Sequence, residues 1–416
     1  MNTSTNEFTT NDFKAKHEYL SLSLQEDGYL TFCQKYEMKN PWILSAEVRF
    51  RGGSPSHIVF LEQAINIVIQ AHDILRTSYH HNESRWERIV AETMAYSLPC
   101  HDIKDLDEAE KAEILSNFSK LNQLATFPSY AAPLFQLDLI RVTDDEFILF
   151  MNFEHLIVDG LSAEVFLRQL FSTYQSLIER KIIDLRAKPY LDYVLQVHRD
   201  FQGFQPIDPS WETLLVSGEP KIKFEETGVI PAALMDRIKK ACHQKGVFPM
   251  TLLYSVFSYT LRQLTNQPRI LTGVYLGNRE KAFSNSMGYF INLAILEENS
   301  ESLEDALVKN QQLLRGALRN HTPLHSFETC TKIPFYFNYI PVLSENLGGA
   351  VINTRLRTGR YDQAQKITPQ SLVFRIWEQE DKNATLSIFY QEGFLSPDQA
   401  KQMIEDYIGH LEKQSS

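Results

Sequence analysis

Long apolar runs and cysteine clusters are both missing from this sequence of 416 residues. No stretch reaches the ~18 consecutive apolar residues of a membrane-spanning helix. The N-terminal residues MNTSTNEFTT are polar, so no signal peptide is expected. The four cysteines, Cys33, Cys100, Cys242 and Cys330, stand far apart, which argues against a zinc site or a disulfide framework. These absences predict a cytoplasmic protein with reduced thiols and no bound metal.

Positive charge is also scarce. Lys and Arg number 41 against 52 Asp and Glu, which gives a net charge of -11 at pH 7. This balance argues against nonspecific binding to nucleic acid or to an anionic membrane surface. The apolar fraction of 43% and the charged fraction of 22% are ordinary for a globular protein. At ~100–200 residues per domain, the length predicts two or three domains.

Helical and strand-like patterns alternate along the chain. The period-two pattern predicts strands at 44–50, 134–142, 146–153, 269–276 and 385–390. Helical spacing predicts helices at 60–72, 108–121, 251–264 and 397–411, one that follows an N-cap at Ser162, and one that starts at Pro231. These patterns favour an α/β fold in which mixed sheets carry helices on one face.

Composition shifts suggest where the chain divides. Residues 1–16 are rich in Asn, Thr and Ser and are expected to form a disordered tail. Residues 17–197 are expected to form an N-terminal lobe. Residues 198–220 carry Gly, Pro and polar side chains, and we interpret them as the connection to a C-terminal lobe at 221–416.

Common catalytic signatures are absent too, including G-x-S-x-G, Walker A, G-x-G-x-x-G and H-E-x-x-H. The segment NFEHLIVDGLS, residues 152–162, is the best remaining candidate. An apolar strand leads into His155, and Asp159 and Gly160 follow. A His at a strand end can point into a space between lobes, and Gly permits a tight turn or a close backbone approach. On this segment alone, a structural His and Asp that shape a turn are the favoured interpretation, because H-x-x-x-D-G by itself is a short and weak pattern.

A second H-x-x-x-D spacing, at His101 and Asp105, leads into an acidic helix and follows no strand. We therefore interpret it as surface sequence.

H-x-x-x-D-G at a strand end resembles the core motif of condensation domains of nonribosomal peptide synthetases, in the chloramphenicol-acetyltransferase-like superfamily. Further segments follow in the family's order, from about residue 17 to 413. They are HDILRTSY, YLDYVLQVHRDF, SWETLL, RILTGVYLGNRE, MGYFINLAIL, NHTPLHSFE, PFYFNY and LSIFYQEGFLSPDQAKQM. Together they are much more specific than the six-residue motif.

Three positions depart from the family pattern. Glu154 replaces the first His of H-H-x-x-x-D-G, Leu293 replaces the Thr after Asn292, and Leu161 stands where an aromatic is common. The resemblance makes the second His, here His155, the catalytic one. It therefore leaves activity possible but puts in doubt the buried contacts that the first His would make.

The resemblance implies two lobes in a V, each a mixed sheet with helices, with an active-site tunnel between them. His155 would act as base or positioner, the Gly160 N–H would face the oxyanion, and Asp159 would pair with Arg279. Asn338 and Asn292 would line the substrate site. The implied reaction moves an acyl group from the phosphopantetheine arm of a carrier protein to an amine, with no bound cofactor.

The start at Met and the lack of adenylation or carrier segments predict a free-standing enzyme that meets its carrier in trans. Three alternatives stay open. They are ester formation, a CoA-dependent transfer, and a catalytically silent scaffolding module.

Overall fold

The computed structural model describes residues 21–38, 42–51, 58–123, 127, 130–217, 221–277, 279–320, 322–341, 351–357, 367–379 and 381–415. The predicted tail at 1–16 lies outside these residues. Within them, no helix combines the length and the apolar character needed to cross a membrane.

The N-terminal lobe is built on a five-stranded sheet. Its strands from this part of the chain are β1 (Ile43–Arg51), β4 (Cys100–Asp102), β5 (Phe135–Arg141) and β6 (Glu146–Glu154), and a small hairpin joins β2 (Thr77–His81) to β3 (Trp86–Val90). The central strand β6 pairs antiparallel with both β1 and β5. Because most of its side chains are buried, β6 reads as an apolar run, and it carries the chain directly to His155.

Helices cover this sheet. They are α1 (Leu24–Lys35), α2 (Ile58–Ala71), α3 (Glu108–Gln123), α4 (Gly160–Glu179) and α5 (Tyr190–Asp200). In α4, buried residues recur at helical spacing, among them Phe166, Leu170 and Tyr174, so one face of the helix packs into the core. The predicted connection at 198–220 begins within the last turn of α5 and includes a short 3-10 turn at Pro209–Leu214.

The C-terminal lobe contains a seven-stranded mixed sheet. Its strands are β7 (Lys221–Ile230), β8 (Ile270–Gly277), β9 (Ile291–Glu298), β10 (Phe335–Ile340), β12 (Ile367–Thr368), β13 (Leu372–Glu378) and β14 (Ala384–Gln391). Its helices are α6 (Ala232–Lys245), α7 (Pro249–Thr265), α8 (Leu303–Arg319), α9 (Phe327–Thr331) and α10 (Pro397–Gln414). Strand β10 runs parallel to its neighbours β8 and β13. The predicted α/β fold with two mixed sheets is therefore confirmed.

Two segments of the C-terminal part reach into the N-terminal lobe. Strand β11 (Val351–Arg357) pairs antiparallel with β1 and forms the edge of the five-stranded sheet. The segment after β8 places Phe283, Met287 and Phe290 in the N-terminal hydrophobic core. The predicted boundary between the lobes therefore does not separate all the contacts of the two halves.

Candidate active site

His155 lies on a short 3-10 turn, His155–Ile157, that begins where β6 ends. The next two residues, Leu156 and Ile157, are fully buried and hold the turn against the core. The His155 N–H donates to the Trp42 carbonyl at 3.0 Å. The imidazole is half-buried and meets the ring of Tyr289 edge-on, with 5.8 Å between centroids. His155 thus has a fixed backbone and a side chain on the wall of a cavity.

Burial lowers the pKa of His155 below its ordinary 6.5. Hydrogen bonding to the backbone of His155 and Val158, together with the Asp159 charge, acts in the opposite direction. An imidazole with a lowered pKa is neutral at pH 7 and can accept a proton.

Glu154 points away from the cavity into the N-terminal lobe and is fully buried. Tyr29 donates its hydroxyl proton to Oε1 at 2.5 Å, and the Leu156 N–H donates to Oε2. Burial raises the pKa of Glu154 to about 8, although both hydrogen bonds lower it. Glu154 therefore closes the turn that carries His155, and its carboxyl group is satisfied by contacts that the sequence did not reveal.

Asp159 and Arg279 form the expected ion pair between the lobes. Arg279 Nη2 donates to Asp159 Oδ1 at 2.8 Å, and each side chain is only 5% exposed. The other carboxylate oxygen, Oδ2, accepts the Phe290 N–H at 3.2 Å. The guanidinium carbon of Arg279 also lies 4.2 Å from the centroid of the Phe290 ring. The predicted salt bridge is confirmed, and its role in activity stays a prediction.

The predicted N-cap at Ser162 is wrong. Helix α4 begins at Gly160, and Asp159 is its N-cap, because Oδ1 accepts the Ser162 N–H at 2.7 Å. Ser162 lies inside the first turn, and its hydroxyl forms hydrogen bonds with residues of the other lobe. It donates to the Gly288 carbonyl at 2.8 Å and accepts from Arg279 Nη2 at 2.6 Å.

Gly288 allows this close approach of the lobes. A Cβ added at Gly288 would lie 2.1 Å from the Tyr190 ring, so only glycine fits there. His72, in the segment HDILRTSY, strengthens the same contact by accepting the Met287 N–H at 3.3 Å. These contacts fix the position of the two lobes relative to each other around the cavity.

Gly160 does not make the tight turn suggested by its sequence. Its φ is not positive, and an added Cβ would meet no protein atom within 4 Å. It is the first residue of α4, where N–H groups lack intrahelical acceptors and the helix dipole favours negative charge. Gly160 and His155 line the same cavity, and the role of the Gly160 N–H toward an oxyanion stays a prediction.

A cavity of about 610 Å³ lies between the lobes. The candidate residues on its wall are His155, Asp159, Gly160, Asn292 and Asn338. Arg279 is not among the lining residues, although it pairs with Asp159, which is. The cavity thus brings together five of the six residues predicted from the sequence.

The two asparagines differ in their surroundings. Asn292 is buried in β9, where Nδ2 donates to the Thr322 carbonyl at 3.3 Å and Oδ1 accepts the Leu293 N–H at 2.9 Å. Because both ends of its side-chain amide bond to the backbone, Asn292 helps to hold the cavity wall in place. Asn338 is half-buried on β10, and its contact with substrate stays a prediction. Among the described residues, no group of three His, Cys, Asp or Glu side chains could hold a metal ion.

Comparisons with known proteins agree with this geometry. Residues 15–208 match the family model of the condensation domain. The chain is 24% identical over 285 residues to bacitracin synthase 1 of Bacillus licheniformis, which covers 62% of this chain and 5% of that protein. It is 23% identical over 430 residues to the hybrid PKS-NRPS synthetase LUC5 of a Fusarium species, which covers 95% of this chain and 11% of that protein. The chain therefore spans only a small part of these curated relatives.

The fold extends the likeness along nearly the whole chain. The condensation domain of the monacolin K polyketide synthase MokA superposes with a TM-score of 0.75 at 15% identity, covering 96% of this chain and 97% of that one. A structure concerned with condensation domain-mediated chain release from the enacyloxin polyketide synthase gives a TM-score of 0.71 at 16% identity, covering 98% and 83%. The family-model match includes the His155 motif, and the shared fold extends the similarity to condensation domains along nearly the whole chain.

Proposed function

We propose that this protein transfers an acyl group from a carrier-protein phosphopantetheine thioester to an amine, forming an amide in nonribosomal peptide or hybrid polyketide biosynthesis. The observation that carries the proposal is the placement of His155. Its imidazole, whose pKa is lowered by burial, lies on the wall of a cavity that is also lined by Gly160, the first residue of α4. The turn that carries it is held by hydrogen bonds from the Leu156 N–H to Glu154 and from the His155 N–H to the Trp42 carbonyl.

In the proposed step, the amine nitrogen attacks the thioester carbonyl carbon and forms the C–N bond. His155 accepts the proton that the nitrogen loses, as a general base, or holds the amine in place for attack. The C–S bond then breaks, and the thiolate of the pantetheine arm leaves and takes up a proton. The products are an amide and the free carrier thiol.

The Gly160 N–H is the proposed donor to the oxygen that becomes negative in this step. Donors that are fixed before the reaction stabilise such an oxyanion without reorganising. Asp159 has a positioning role, because it caps α4 and anchors Arg279. We further propose that Asn338 contacts the substrate from β10.

The proposal is tested by mixing the purified protein with an acyl-loaded carrier protein, or its acyl-pantetheine mimic, and a panel of amines and alcohols. We expect an amide that depends on enzyme, donor and amine, identified by mass spectrometry. A product formed only with alcohols would replace amide by ester formation. No product above the protein-free rate with any donor and acceptor would favour the silent scaffolding alternative.

Glu154→Gln should keep most of the turnover, because Glu154 lies behind the catalytic wall. A Gln carbonyl can still accept the Leu156 N–H, and its amide can donate to the Tyr29 hydroxyl oxygen. The measurement is kcat/KM for amide formation by wild type and variant. A loss as deep as that of His155→Ala would show that the carboxyl group takes part in the chemical step.

The same variant has a stability readout. Because the folded pKa of Glu154, about 8, lies above its ordinary 4.5, this group stabilises the fold fully below pH 4.5 and loses that contribution as pH rises through 8. Glu154→Gln should therefore lose less stability than wild type between these pH values, as measured by urea unfolding.

The rate should stay high to a lower pH than free imidazole would allow. Since burial lowers the pKa of His155 below 6.5, the neutral base persists as the solution becomes more acidic. We expect the acid limb of the kcat/KM profile, measured between about pH 5 and pH 8, to have its midpoint below about pH 6.5. A midpoint clearly above about pH 6.5 would contradict a general base whose pKa is lowered by burial.

A further inference from the structure

The charged side chains on the cavity wall are carboxylates. Most of its lining side chains are apolar or aromatic, and the described lining residues include no Lys or Arg. Two carboxylates are present, from Asp159 and Glu164. Asp159 is neutralised by Arg279. Among the described lining residues, Glu164 is therefore the carboxylate without an ion-pair partner.

Glu164 is placed on the cavity side of α4. It lies four residues after Gly160, so the two residues share one face of the helix, about 6 Å apart along the axis. Its side chain is half-buried, and within the described part of the chain it forms no hydrogen bond or ion pair. Leu161 and Phe248 also line the cavity, and both are exposed hydrophobic side chains, so part of the cavity edge is apolar.

We propose that the acceptor is an amine with a second, cationic amino group and no free carboxylate, and that Glu164 binds this ammonium group. The inference rests on the proposed function, since it assigns the acceptor of that reaction. The reacting nitrogen must be neutral when it attacks, so the ammonium paired with Glu164 is a different one.

The physical reason is the low polarity of the surroundings. A half-buried carboxylate without a counterion attracts a cation more strongly than one in bulk water, because screening by solvent is reduced. The same field repels a substrate carboxylate, and no described cation on the wall offsets that repulsion. The cavity should therefore discriminate among acceptors of equal length by charge alone.

Three five-carbon amines test this discrimination: 1,5-diaminopentane, pentylamine and 5-aminopentanoate. With a saturating acyl-pantetheine donor, the intact protein should show its lowest KM for the diamine and its highest for the aminopentanoate. Glu164→Gln should raise the KM for the diamine about five- to tenfold, with kcat and the KM for pentylamine changing less than about twofold. For 5-aminopentanoate, the variant should lower KM.

Glu179→Gln is the matched control, because Glu179 lies at the far end of the same helix, about 22 Å from Glu164, outside the cavity lining. It should leave the three KM values as in wild type. Equal KM values for the three amines, or a diamine KM unaffected by Glu164→Gln, would overturn the assignment.

Binding of the diamine without donor, measured by calorimetry, separates this inference from the proposed function. If no amide forms with any amine, the proposed function fails, and binding still decides the role of Glu164. Diamine binding that is weakened by Glu164→Gln but not by Glu179→Gln supports the site. Binding that is undetectable in wild type, or equal in all three proteins, overturns it.

Discussion

Replacing His155 by Ala should lower the rate of amide formation about 10²–10⁴-fold, the range typical for loss of a general base. The side chain lies on the cavity wall, whereas the turn beneath it is held by the backbone N–H of His155, by buried Leu156 and by Glu154. These contacts remain when the imidazole and its own hydrogen bonding to the backbone of the turn are removed, so the variant should keep its fold and its affinity for the acyl carrier.

His101→Ala is the matched control for this loss. His101 has the same spacing to a following Asp and sits on the short edge strand β4, near Asp138. It lies outside the cavity lining and should keep wild-type turnover. Circular dichroism, unfolding and carrier binding should be the same for both variants. Equal activity in wild type and His155→Ala would make His155 a structural residue.

Asp159→Ala should reduce the free energy of unfolding by about 3–5 kcal/mol, because it leaves the buried Arg279 charge without its partner. The carboxylate also caps α4 and accepts the Phe290 N–H, so three contacts are lost at once. Urea unfolding measures the change. We also expect a lower rate, since the turn carrying His155 and the start of α4 lose their anchor to the other lobe.

An exposed ion pair gives the comparison. Glu328→Ala removes the partner of Lys332 on the surface, where such pairs contribute less than about 1 kcal/mol. If Asp159→Ala costs no more than Glu328→Ala, the buried pair does not hold the lobes together. Combining Asp159→Ala with Arg279→Ala should cost less than the sum of the single changes, because the unpaired charge is then removed.

The order of motifs predicted the pairing of Asp159 with Arg279, although 120 residues separate them. It did not predict which residue caps α4. Asp159 and Ser162 both have side chains that suit an N-cap, and only the approach of Gly288 and Arg279 from the other lobe gives the Ser162 hydroxyl a different use.

Local patterns also could not show that β11 leaves its own lobe. Strand periodicity indicates that a strand forms, and the pairing partner depends on the whole fold. The contact of Glu154 with Tyr29, across 125 residues, was hidden for the same reason. The sequence could have indicated that Glu164 lines the cavity, because it lies one helical turn after Gly160 on the same face of α4.

The central claim is that His155 promotes acyl transfer to nitrogen in the cavity between the lobes. A single-turnover experiment, with enzyme in excess over an acyl-loaded carrier and a saturating amine, tests it most directly. Intact-mass spectrometry follows the carrier while the amide is quantified. We expect wild type to release the acyl group as amide at a rate about 10²–10⁴-fold above that of His155→Ala. Equal rates of amide release by the two proteins would contradict the claim.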